Sequence, residues 1–474
     1  MFKDNFDDKL NSQEDMLEIV KQYESMLKSK QILFLEHETL EDIVAYYEEH
    51  SEWDKAYNAA MYALEQYPNS STFLAKKAQF LYEHKRFEEA LSLVEKALFL
   101  SPNDLDTLIL QADIYNSMGD YKKSLGILKQ SLNFADKEDQ SDIYIAASDV
   151  YESQGRMAKA YRCAKKALLL SPKSEMAQIR YDYIAVETSQ FRESIKIQQK
   201  LIDADPYCHL AWYHLGNAWF GLERYKKAIE AYEYTIVIND QFTAAYRDSG
   251  EAYFELGNYV KAKELYLEAQ SRGDNDDELL YSIGLCALHL QSFDECEDYL
   301  NQALQLNPNH ADSYFQLGEC SRERGDYEQA LQFYNKALQI EADSDIYLYA
   351  IALIHEISER YELALLYFFE AIDANKEEVA YYIKAASMYF QLDLSDDGIE
   401  LLEMAINKFP DRPELLYLLS AALITIGQKQ RGYVYLTRAL QLHSTGIDLF
   451  FTAMPQLKDN PDILMLIELN RMGK

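Results

Sequence analysis

Apolar residues recur along this chain with the spacing of helices. The stretch "AWYHLGNAWFGLERYKKAIEAY", residues 211–232, places Trp212, Leu215 and Trp219 on one face at intervals of three and four residues. After a short polar turn, Ala228 begins a second face with similar spacing. The pattern predicts two short helices that pack against each other as a hairpin.

The same pattern returns every 34 residues, which indicates a repeat architecture. With His209 as position 1, repeats begin at residues 37, 71, 105, 141, 175, 209, 243, 277, 311, 345, 379 and 413, and a two-residue insertion before residue 141 is the sole break. Position 20 carries a small residue in every repeat: Ala56, Ala90, Ser124, Ala160, Ser194, Ala228, Ala262, Cys296, Ala330, Ala364, Gly398 and Gly432. We therefore predict twelve helix hairpins over residues 37–446, with small residues where helix backbones approach each other.

The repeat resembles the tetratricopeptide repeat family. In the repeat that begins at His209, the residues at the family's signature positions are Trp212, Leu215, Gly216, Trp219, Ala228 and Tyr232. The resemblance implies an all-α fold, a right-handed superhelical α-solenoid with a concave groove. The family signature has glycine at position 8, but here glycine occupies that position in only four of the twelve repeats. In the fifth repeat, position 8 is Asp182. Asp182 indicates either a local loosening of the packing, which we favour, or a buried polar site.

The two ends of the chain are predicted to cap the repeats. Residues 1–36 are expected to form an acidic tail and a capping helix that begins at a capping box from Ser12 to Asp15. Residues 447–474 are expected to form capping helices, the second beginning at Asn460 and Pro461, whose side chains suit the start of a helix. Such caps would cover the apolar faces of the terminal repeats.

The overall charge restricts the class of partner. The chain has 46 Lys and Arg against 79 Asp and Glu, a formal charge of -33, which would repel nucleic acid and anionic lipid. We therefore expect a protein or peptide partner, and neither nucleic acid nor a membrane. The chain begins without the pattern of a signal peptide, and its five cysteines form no C-x-x-C pair. These features predict a cytoplasmic protein with reduced thiols.

The sequence contains none of the common catalytic or phosphate-binding motifs, so we expect no enzyme activity, no cofactor and no metal. His209 and His214 lie five residues apart without a carboxylate or cysteine at ligand spacing. His214 is therefore expected to be an ordinary surface residue. Cys286 and Cys296 are expected to be small core residues rather than a reactive pair.

The family resemblance implies that positions 2, 5, 9, 12 and 13 line the groove. Of these 60 positions 19 are acidic and two are basic, whereas the average composition would give about 10 and 6. The early repeats supply residues that we expect to steer a basic ligand: Glu38, Glu41, Asp106, Asp113, Asp142, Asp149 and Glu152. The later repeats supply a more aromatic binding surface: Tyr183, Tyr213, Asn217, Phe220, Arg247, Glu251, Phe254, Tyr281, Phe315 and Tyr349, with Phe390 and Tyr417 at equivalent positions.

These surfaces predict a non-catalytic scaffold or adaptor that binds basic and apolar segments of partner proteins. Burying an aromatic side chain contributes about 1.5 to 3 kcal/mol and an exposed ion pair about 0.2 to 1 kcal/mol, so the aromatics would hold the ligand and the acids would select it. Alternatively, the acids only keep the chain soluble and the aromatics pack on neighbouring helices. The chain could also be a regulatory, substrate-presenting or chaperone-like subunit of an enzyme on a separate chain.

One family specialisation, a clamp for a C-terminal carboxylate, is incomplete here. Asn217 and Arg247 occupy two of the clamp positions, but Tyr213 replaces the lysine that the family clamp uses. We therefore expect no ligand of that kind. The pattern of residues does not distinguish a monomer from an oligomer.

Overall fold

The computed structural model describes residues 4–29, 34–443, 446–453 and 455–472. Regular structure within these ranges is helical and includes no β-strand, which confirms the all-α class. The chain divides into two compact bodies, an N-terminal body that ends at Asp240 and a C-terminal body that begins at Gln241. No helix in the described part of the chain is both long enough and apolar enough to cross a bilayer.

The N-terminal body holds helices α1 to α13, which pack pairwise from α2 onward. The helices are α1 (Asp4–Ser29), α2 (His37–Glu49), α3 (Trp53–Gln66), α4 (Ser71–Glu83), α5 (Phe87–Leu100), α6 (Leu105–Ser117), α7 (Tyr121–Ser131), α8 (Lys137–Ser153), α9 (Met157–Leu170), α10 (Glu175–Glu187), α11 (Phe191–Ala204), α12 (His209–Phe220) and α13 (Tyr225–Ile238). Even-numbered helices are the first helices of the hairpins, and odd-numbered helices from α3 are the second helices.

The C-terminal body continues the alternation. Its helices are α14 (Thr243–Glu255), α15 (Tyr259–Ser271), α16 (Asp277–His289), α17 (Phe293–Leu306), α18 (Ala311–Glu323), α19 (Tyr327–Ile340), α20 (Asp345–Ile357), α21 (Tyr361–Ala374), α22 (Val379–Gln391), α23 (Ser395–Lys408), α24 (Pro413–Thr425), α25 (Lys429–Leu442), α26 (Ile447–Ala453) and α27 (Pro461–Met472), with a short 3-10 helix at Pro455–Leu457. Asn460 accepts hydrogen bonds from the N–H groups of Asp462 and Ile463 and so caps α27.

Each first helix ends in the same turn. The residue at position 15 has a positive φ in all twelve repeats, for example 59° at Lys85 and 80° at Gly119. The next N–H then reaches back to the last helical turn, as Arg86 does by donating to the Leu81 carbonyl at 2.8 Å. This αL turn satisfies carbonyl groups that a helix end would leave unpaired, and it directs the chain into the second helix.

Within a hairpin, position 8 of the first helix faces position 24 of the second, and the two side chains are complementary in size. A Cβ atom added to Gly216 would lie 2.3 Å from the Tyr232 ring, so the ring in its present position leaves no room for a side chain on residue 216. In the third repeat the corresponding residues are Ala112 and Leu128, both buried. All twelve residues at position 20 are also buried, as the close approach of the two helices requires.

The N-terminal end differs from the prediction. Helix α1 begins at Asp4 and runs through Ser12, so Ser12 does not cap a helix start. Because the helix already extends back to Asp4, the N–H groups after Ser12 lie inside the helix and leave the Ser12 side chain no helix start to cap. The predicted capping segment nonetheless packs on the first repeat, because Val20, Tyr23 and Met26 are buried in the same core.

Candidate functional site

First helices of successive repeats lie side by side in the N-terminal body. Tyr82 of α4 contacts Ser117 of α6 at 3.2 Å between the two hydroxyl oxygens. The amide nitrogen of Asn116 then donates to the hydroxyl of Ser153 on α8 at 3.3 Å. These contacts join positions 12 and 13 of neighbouring repeats. The exposed sides of α4, α6, α8 and α10 thus form one surface, called here the first-helix face.

Four of the predicted steering acids lie close together on this face. Asp106 and Asp142 stand at position 2 of the third and fourth repeats, and their charges interact. Asp113 and Asp149 stand at position 9 of the same repeats. Burial and the neighbouring Asp149 charge raise the pKa of Asp113 to about 7. Burial also raises the pKa of Asp149 to about 6, and the Arg180 charge opposes that rise.

A cleft of about 580 Å³ opens between α4 and α6, and Asp113 forms part of its wall. Its other lining residues include Thr72, Gln79, Tyr82 and Asp106. No hydrogen-bond donor or cation among the described residues contacts the Asp113 carboxylate. The cleft therefore presents a partly buried acceptor that a ligand cation could neutralise.

Basic side chains at position 6 of some repeats lie just beside this surface and were not among the predicted site residues. Arg180 contacts Glu152 at 2.7 Å and Asp149 at 2.8 Å. Lys76 contacts Glu48 at 2.8 Å in the same arrangement, 28 residues apart. Part of the acidic surface is thus neutralised within the chain. The signal in the sequence was the 28-residue offset between acid and base.

The two remaining steering residues lie on α2. Glu38 is exposed, and Glu41 contacts the His37 ring at 3.5 Å within the same helix. No contact between described residues joins either of them to the acids of α6 and α8. The structure therefore brings together Asp106, Asp113, Asp142, Asp149 and Glu152 and leaves the α2 pair apart.

Helix α10 exposes four large apolar side chains on this face. The exposed fractions are 65% for Met176, 46% for Ile179, 47% for Tyr183 and 41% for Val186. They occupy positions 2, 5, 9 and 12, so they form a single row along the helix. We call this row the α10 stripe. Of these four residues, only Tyr183 was among the predicted binding residues.

The opposite side of α10 contains a buried carboxylate. Asp182 accepts a hydrogen bond of 2.8 Å from the Asn217 amide, and its side chain is 9% exposed. The His214 ring nitrogen Nδ1 lies 2.9 Å from the same carboxylate oxygen. Asp182 is thus a buried polar site, and the favoured interpretation of local loosening is wrong. The expectation of a surface His214 is also wrong, because Asp182 provides the buried ring with a polar neighbour.

The other predicted residues of the N-terminal body pack on neighbouring side chains. Tyr213 contacts the Tyr232 ring at 5.8 Å between centroids, and Phe220 contacts the Tyr225 ring edge-on at 5.2 Å. Both are half-buried. Both ends of the Asn217 amide are hydrogen-bonded. Its nitrogen donates to Asp182, and its oxygen accepts a 2.9 Å hydrogen bond from the Tyr232 hydroxyl.

In the C-terminal body, four of the predicted aromatic residues are also half-buried and contact other rings. Phe254 packs on Tyr259, Tyr281 on His310, Phe315 on Tyr347, and Tyr349 on Tyr381, with centroids 4.9 to 5.1 Å apart. Phe390 is half-buried as well. Tyr417 is fully buried, and its hydroxyl donates to the His443 carbonyl. Tyr417 is therefore a core residue and the expectation of a groove position is wrong for it.

The polar groove residues of this body are engaged by neighbours. Both terminal nitrogens of Arg247 donate to the Asp276 carboxylate, at 2.7 and 2.9 Å. Glu251 accepts a 2.8 Å hydrogen bond from the Tyr266 hydroxyl. Because Arg247 already binds a carboxylate of its own chain, it is not free to act as part of a carboxylate clamp.

Cysteine and histidine clusters offer no reactive centre in the described part of the chain. Cys286 and Cys296 are buried free thiols, as expected, and Cys296 has Cys320 as its sulfur neighbour.

His310 approaches Asp277 and Glu278 closely enough for a cation site. However, His310 Nδ1 accepts the Ser313 backbone N–H, so the proton of the neutral ring lies on Nε2, the atom facing Glu278. Its position is explained by capping of α18.

The fold and this surface define an all-α helical-repeat protein whose first helices α4, α6, α8 and α10 present a common face in the N-terminal body. Models of the tetratricopeptide repeat match residues 45–245 and 276–341, more than half of the chain. The chain belongs to the tetratricopeptide repeat family. Repeats of this family are interaction modules for proteins and peptides, and are generally not catalytic, so the chain is a protein-interaction scaffold.

Comparison with curated proteins finds no match. Among solved structures, the chain is similar to YrrB, described as a TPR protein with an unusual peptide-binding site, at 21% identity over 39% of this chain and 95% of YrrB, with a TM-score of 0.33. It is similar to MamA at 21% identity over 34% of this chain and 95% of MamA, with a TM-score of 0.32. A chain of the APC/C hetero-tetramer Cut9–Hcn1 shares 12% identity over 85% of this chain and 90% of that chain, with a TM-score of 0.41.

Proposed function

We propose that the protein is a non-catalytic scaffold that binds basic segments of partner proteins on the first-helix face of its N-terminal body. The observation that carries the proposal is the Asp113 carboxylate, partly buried beside Asp149 in the cleft between α4 and α6. A cytoplasmic location is part of the proposal, because the five cysteines are free thiols.

The electrostatics favour a cation at this place. Two carboxylates that interact unfavourably and have lost part of their hydration are stabilised when a positive charge enters between them. Lys and Arg side chains on a peptide can supply that charge, and their alkyl stems suit the apolar part of the wall formed by Ile109 and Leu110. The net charge of -33 would also accelerate the encounter with a basic segment.

Apolar contacts are expected to add to the affinity. Tyr183 is the exposed aromatic ring among the predicted residues. The half-buried rings of the C-terminal body, Phe254, Tyr281, Phe315 and Tyr349, are proposed as additional contact sites through their exposed edges. Their packing on neighbouring rings holds them rigid, which lowers the entropy that a ligand contact would cost.

A binding experiment with a defined peptide tests the proposal. The probe is a fluorescein-labelled 14-residue peptide of Lys, Ser and Gly, here called the lysine peptide, and its partner has Glu in place of Lys. Fluorescence anisotropy at low and high salt should show that the lysine peptide binds, that the glutamate peptide does not, and that salt weakens binding.

The variant Asp113→Asn with Asp149→Asn should bind the lysine peptide about tenfold more weakly, which corresponds to about 1.4 kcal/mol. The matched control is Glu88→Gln with Glu95→Gln, which removes the same charge from exposed positions of second helix α5. This control should stay within about twofold of wild type, since distant exposed charges are screened. Equal affinities of the two variants, or equal binding of both peptides, would contradict the proposal.

A further inference from the structure

Helix α10 stands out from its neighbours in what it exposes. Its four stripe side chains are large and apolar, whereas α4, α6, α8 and α12 have no exposed large apolar side chain between their first and last residues. Single exposed apolar residues are common on soluble proteins, but a continuous row marks an interaction surface. The α10 stripe is therefore a candidate docking site within the first-helix face.

The stripe is not surplus core. The opposite side of α10 already packs through Ala177, Tyr181, Ile184 and Ala185, which are all buried. The same core also encloses Asp182. This helix thus buries a polar side chain and exposes apolar ones, the reverse of what stability alone favours. Such local conflicts with the fold are expected where a surface serves binding.

A second buried polar side chain reinforces this conclusion. Gln198 of α11 is fully buried, and its amide has no hydrogen-bond partner among the described residues. It occupies position 24, where other repeats carry residues such as Tyr232 or Leu300. Leaving an amide unpaired lowers stability. The fifth repeat therefore departs from the optimal repeat on its inner side as well as on its exposed side.

Acidic residues border one side of the stripe. The Tyr183 hydroxyl donates a 3.0 Å hydrogen bond to Glu152 of α8. Arg180 holds Glu152 and Asp149 together and lies 5.6 Å from the centre of the Tyr183 ring. At the C-terminal end of the helix, Glu187 is exposed. A partner that covers the apolar row would thus meet carboxylates at its margins.

The spacing of the row favours a helical partner. Steps of three, four and three residues place the four side chains at intervals of about 4.5 to 6 Å, about 15 Å in total. A helix with apolar residues at the same steps has the same intervals. Four same-face residues of an extended strand would cover about 20 Å and would leave the row out of register.

We propose that the α10 stripe docks an amphipathic helix of a partner protein, with apolar residues at i, i+3, i+7 and i+10 and Lys or Arg beside them facing Asp149 and Glu152. This inference rests on the proposed function, because it identifies the kind of basic segment that the first-helix face takes. The apolar row of the partner would cover Met176, Ile179, Tyr183 and Val186.

The test compares the lysine peptide with two 14-residue peptides of identical Leu and Lys composition. In the amphipathic peptide the leucines follow the steps above, and in the scrambled peptide they have no period. The amphipathic peptide should bind wild-type protein about tenfold more tightly than the scrambled one, and its circular dichroism should show added helix on binding.

The variant Ile179→Gln with Val186→Gln removes two exposed stripe residues without opening the core. It should abolish the tenfold preference for the amphipathic peptide while changing the lysine-peptide affinity by less than about twofold. The matched control is Leu169→Gln with Val237→Gln, two exposed apolar residues on second helices α9 and α13. This control should retain the full preference.

The outcomes separate this inference from the proposed function. If the lysine peptide fails to bind wild-type protein, the proposed function is wrong. If the lysine peptide binds but the amphipathic and scrambled peptides bind equally, or the stripe variant keeps the preference, the helix-docking inference alone is wrong. Self-association that light scattering detects in wild type and not in the stripe variant would also overturn it, because the occupant would then be a second copy.

Discussion

Asn217 links Asp182 to Tyr232 and thereby connects three helices. Its amide nitrogen donates to Asp182 of α10 at 2.8 Å, and its amide oxygen accepts from the Tyr232 hydroxyl of α13 at 2.9 Å. A polar network in a buried place fixes orientation more strictly than apolar contacts do, because its donors and acceptors must meet in one geometry. The network therefore holds α10, and with it the stripe, in a fixed position against α12.

Replacing Asn217 by Ala is expected to loosen this part of the N-terminal body. The change removes the amide hydrogen bond to the buried Asp182 carboxylate and leaves only the His214 ring beside that oxygen, which should lower the local free energy of unfolding by about 1 to 3 kcal/mol. Hydrogen exchange followed by mass spectrometry should show faster exchange in α10 and α12. Asn58→Ala at an exposed position of α3 is the control and should leave exchange in these helices unchanged. Unaltered protection in the Asn217 variant would show that the network does not hold α10.

Gly216→Ala is expected to destabilise the protein, although alanine is the better helix former. The added Cβ would lie 2.3 Å from the Tyr232 ring, and the buried ring is held by its hydroxyl bond to Asn217. Overpacking costs about 1 to 3 kcal/mol and exceeds the helix-propensity gain of about 1 kcal/mol. The midpoint of urea unfolding should fall.

Gly284→Ala provides the comparison for that experiment. Its added Cβ would meet Leu300 Cδ2 at 2.9 Å and Cγ at 3.0 Å, a smaller side chain that no hydrogen bond fixes in place. The propensity gain should then offset most of the cost, and the midpoint should change little. A larger loss from Gly284→Ala than from Gly216→Ala would contradict the argument from ring rigidity.

The 34-residue period contains most of the information about helix positions. First helices begin at position 1 in eleven repeats, for example at His37 and Asp345. Helix α8 begins earlier, at Lys137, because Asp136 accepts hydrogen bonds from two N–H groups and forms a capping box with Asp139. That box lies within residues 133–140, the segment that contains the two-residue insertion, and the 34-residue period offers no guidance there. The αL residue at position 15 was also hidden, since glycine occupies it in some repeats and residues such as Lys85 in others.

The candidate site was less accessible to sequence reasoning. Positions within one repeat do not show which side chain of the next repeat they will contact, so the pairing of Arg180 with Glu152 was missed. Asp182 and His214 are 32 residues apart, and only the packing of α10 on α12 brings them together. Met176 and Ile179 stand at the predicted groove positions 2 and 5, but they were missed because only charged and aromatic residues were selected from those positions.

Arg180→Met is expected to strengthen binding of the lysine peptide while it weakens the fold. The single positive charge of Arg180 offsets one of the two negative charges of Asp149 and Glu152, so its removal raises the net negative charge that a ligand cation meets there from one to two. We expect an affinity increase of about fivefold, corresponding to about 1 kcal/mol. Loss of the hydrogen bonds to charged acceptors should lower the unfolding free energy by about 1.5 to 3 kcal/mol. Anisotropy titration and urea unfolding measure the two effects.

Lys384→Met is the matched control for Arg180. Lys384 contacts Glu356 at 2.8 Å, also 28 residues away, on the C-terminal body. Its removal should leave lysine-peptide binding within about twofold of wild type, because the proposed site lies on α4, α6, α8 and α10 of the N-terminal body. An equal gain from both variants would mean that overall charge, rather than these carboxylates, sets the affinity.

Asp113 is expected to make the N-terminal body less stable as pH rises. Its pKa is raised from the usual 3.8 to about 7 in the folded protein, chiefly by burial and then by Asp149. Between these values the folded state binds a proton that the unfolded state has released, so the free energy of unfolding falls with increasing pH through this window. Asp149, with its pKa raised to about 6, acts in the same direction.

The Asp113→Asn variant has no such proton, so its stability advantage over wild type should be absent near pH 4 and should grow up to about pH 8. Urea unfolding of both proteins at pH 4, 6 and 8 measures this difference, with Glu88→Gln as the control that should show none of it, and an advantage that is constant with pH would contradict the assignment to Asp113.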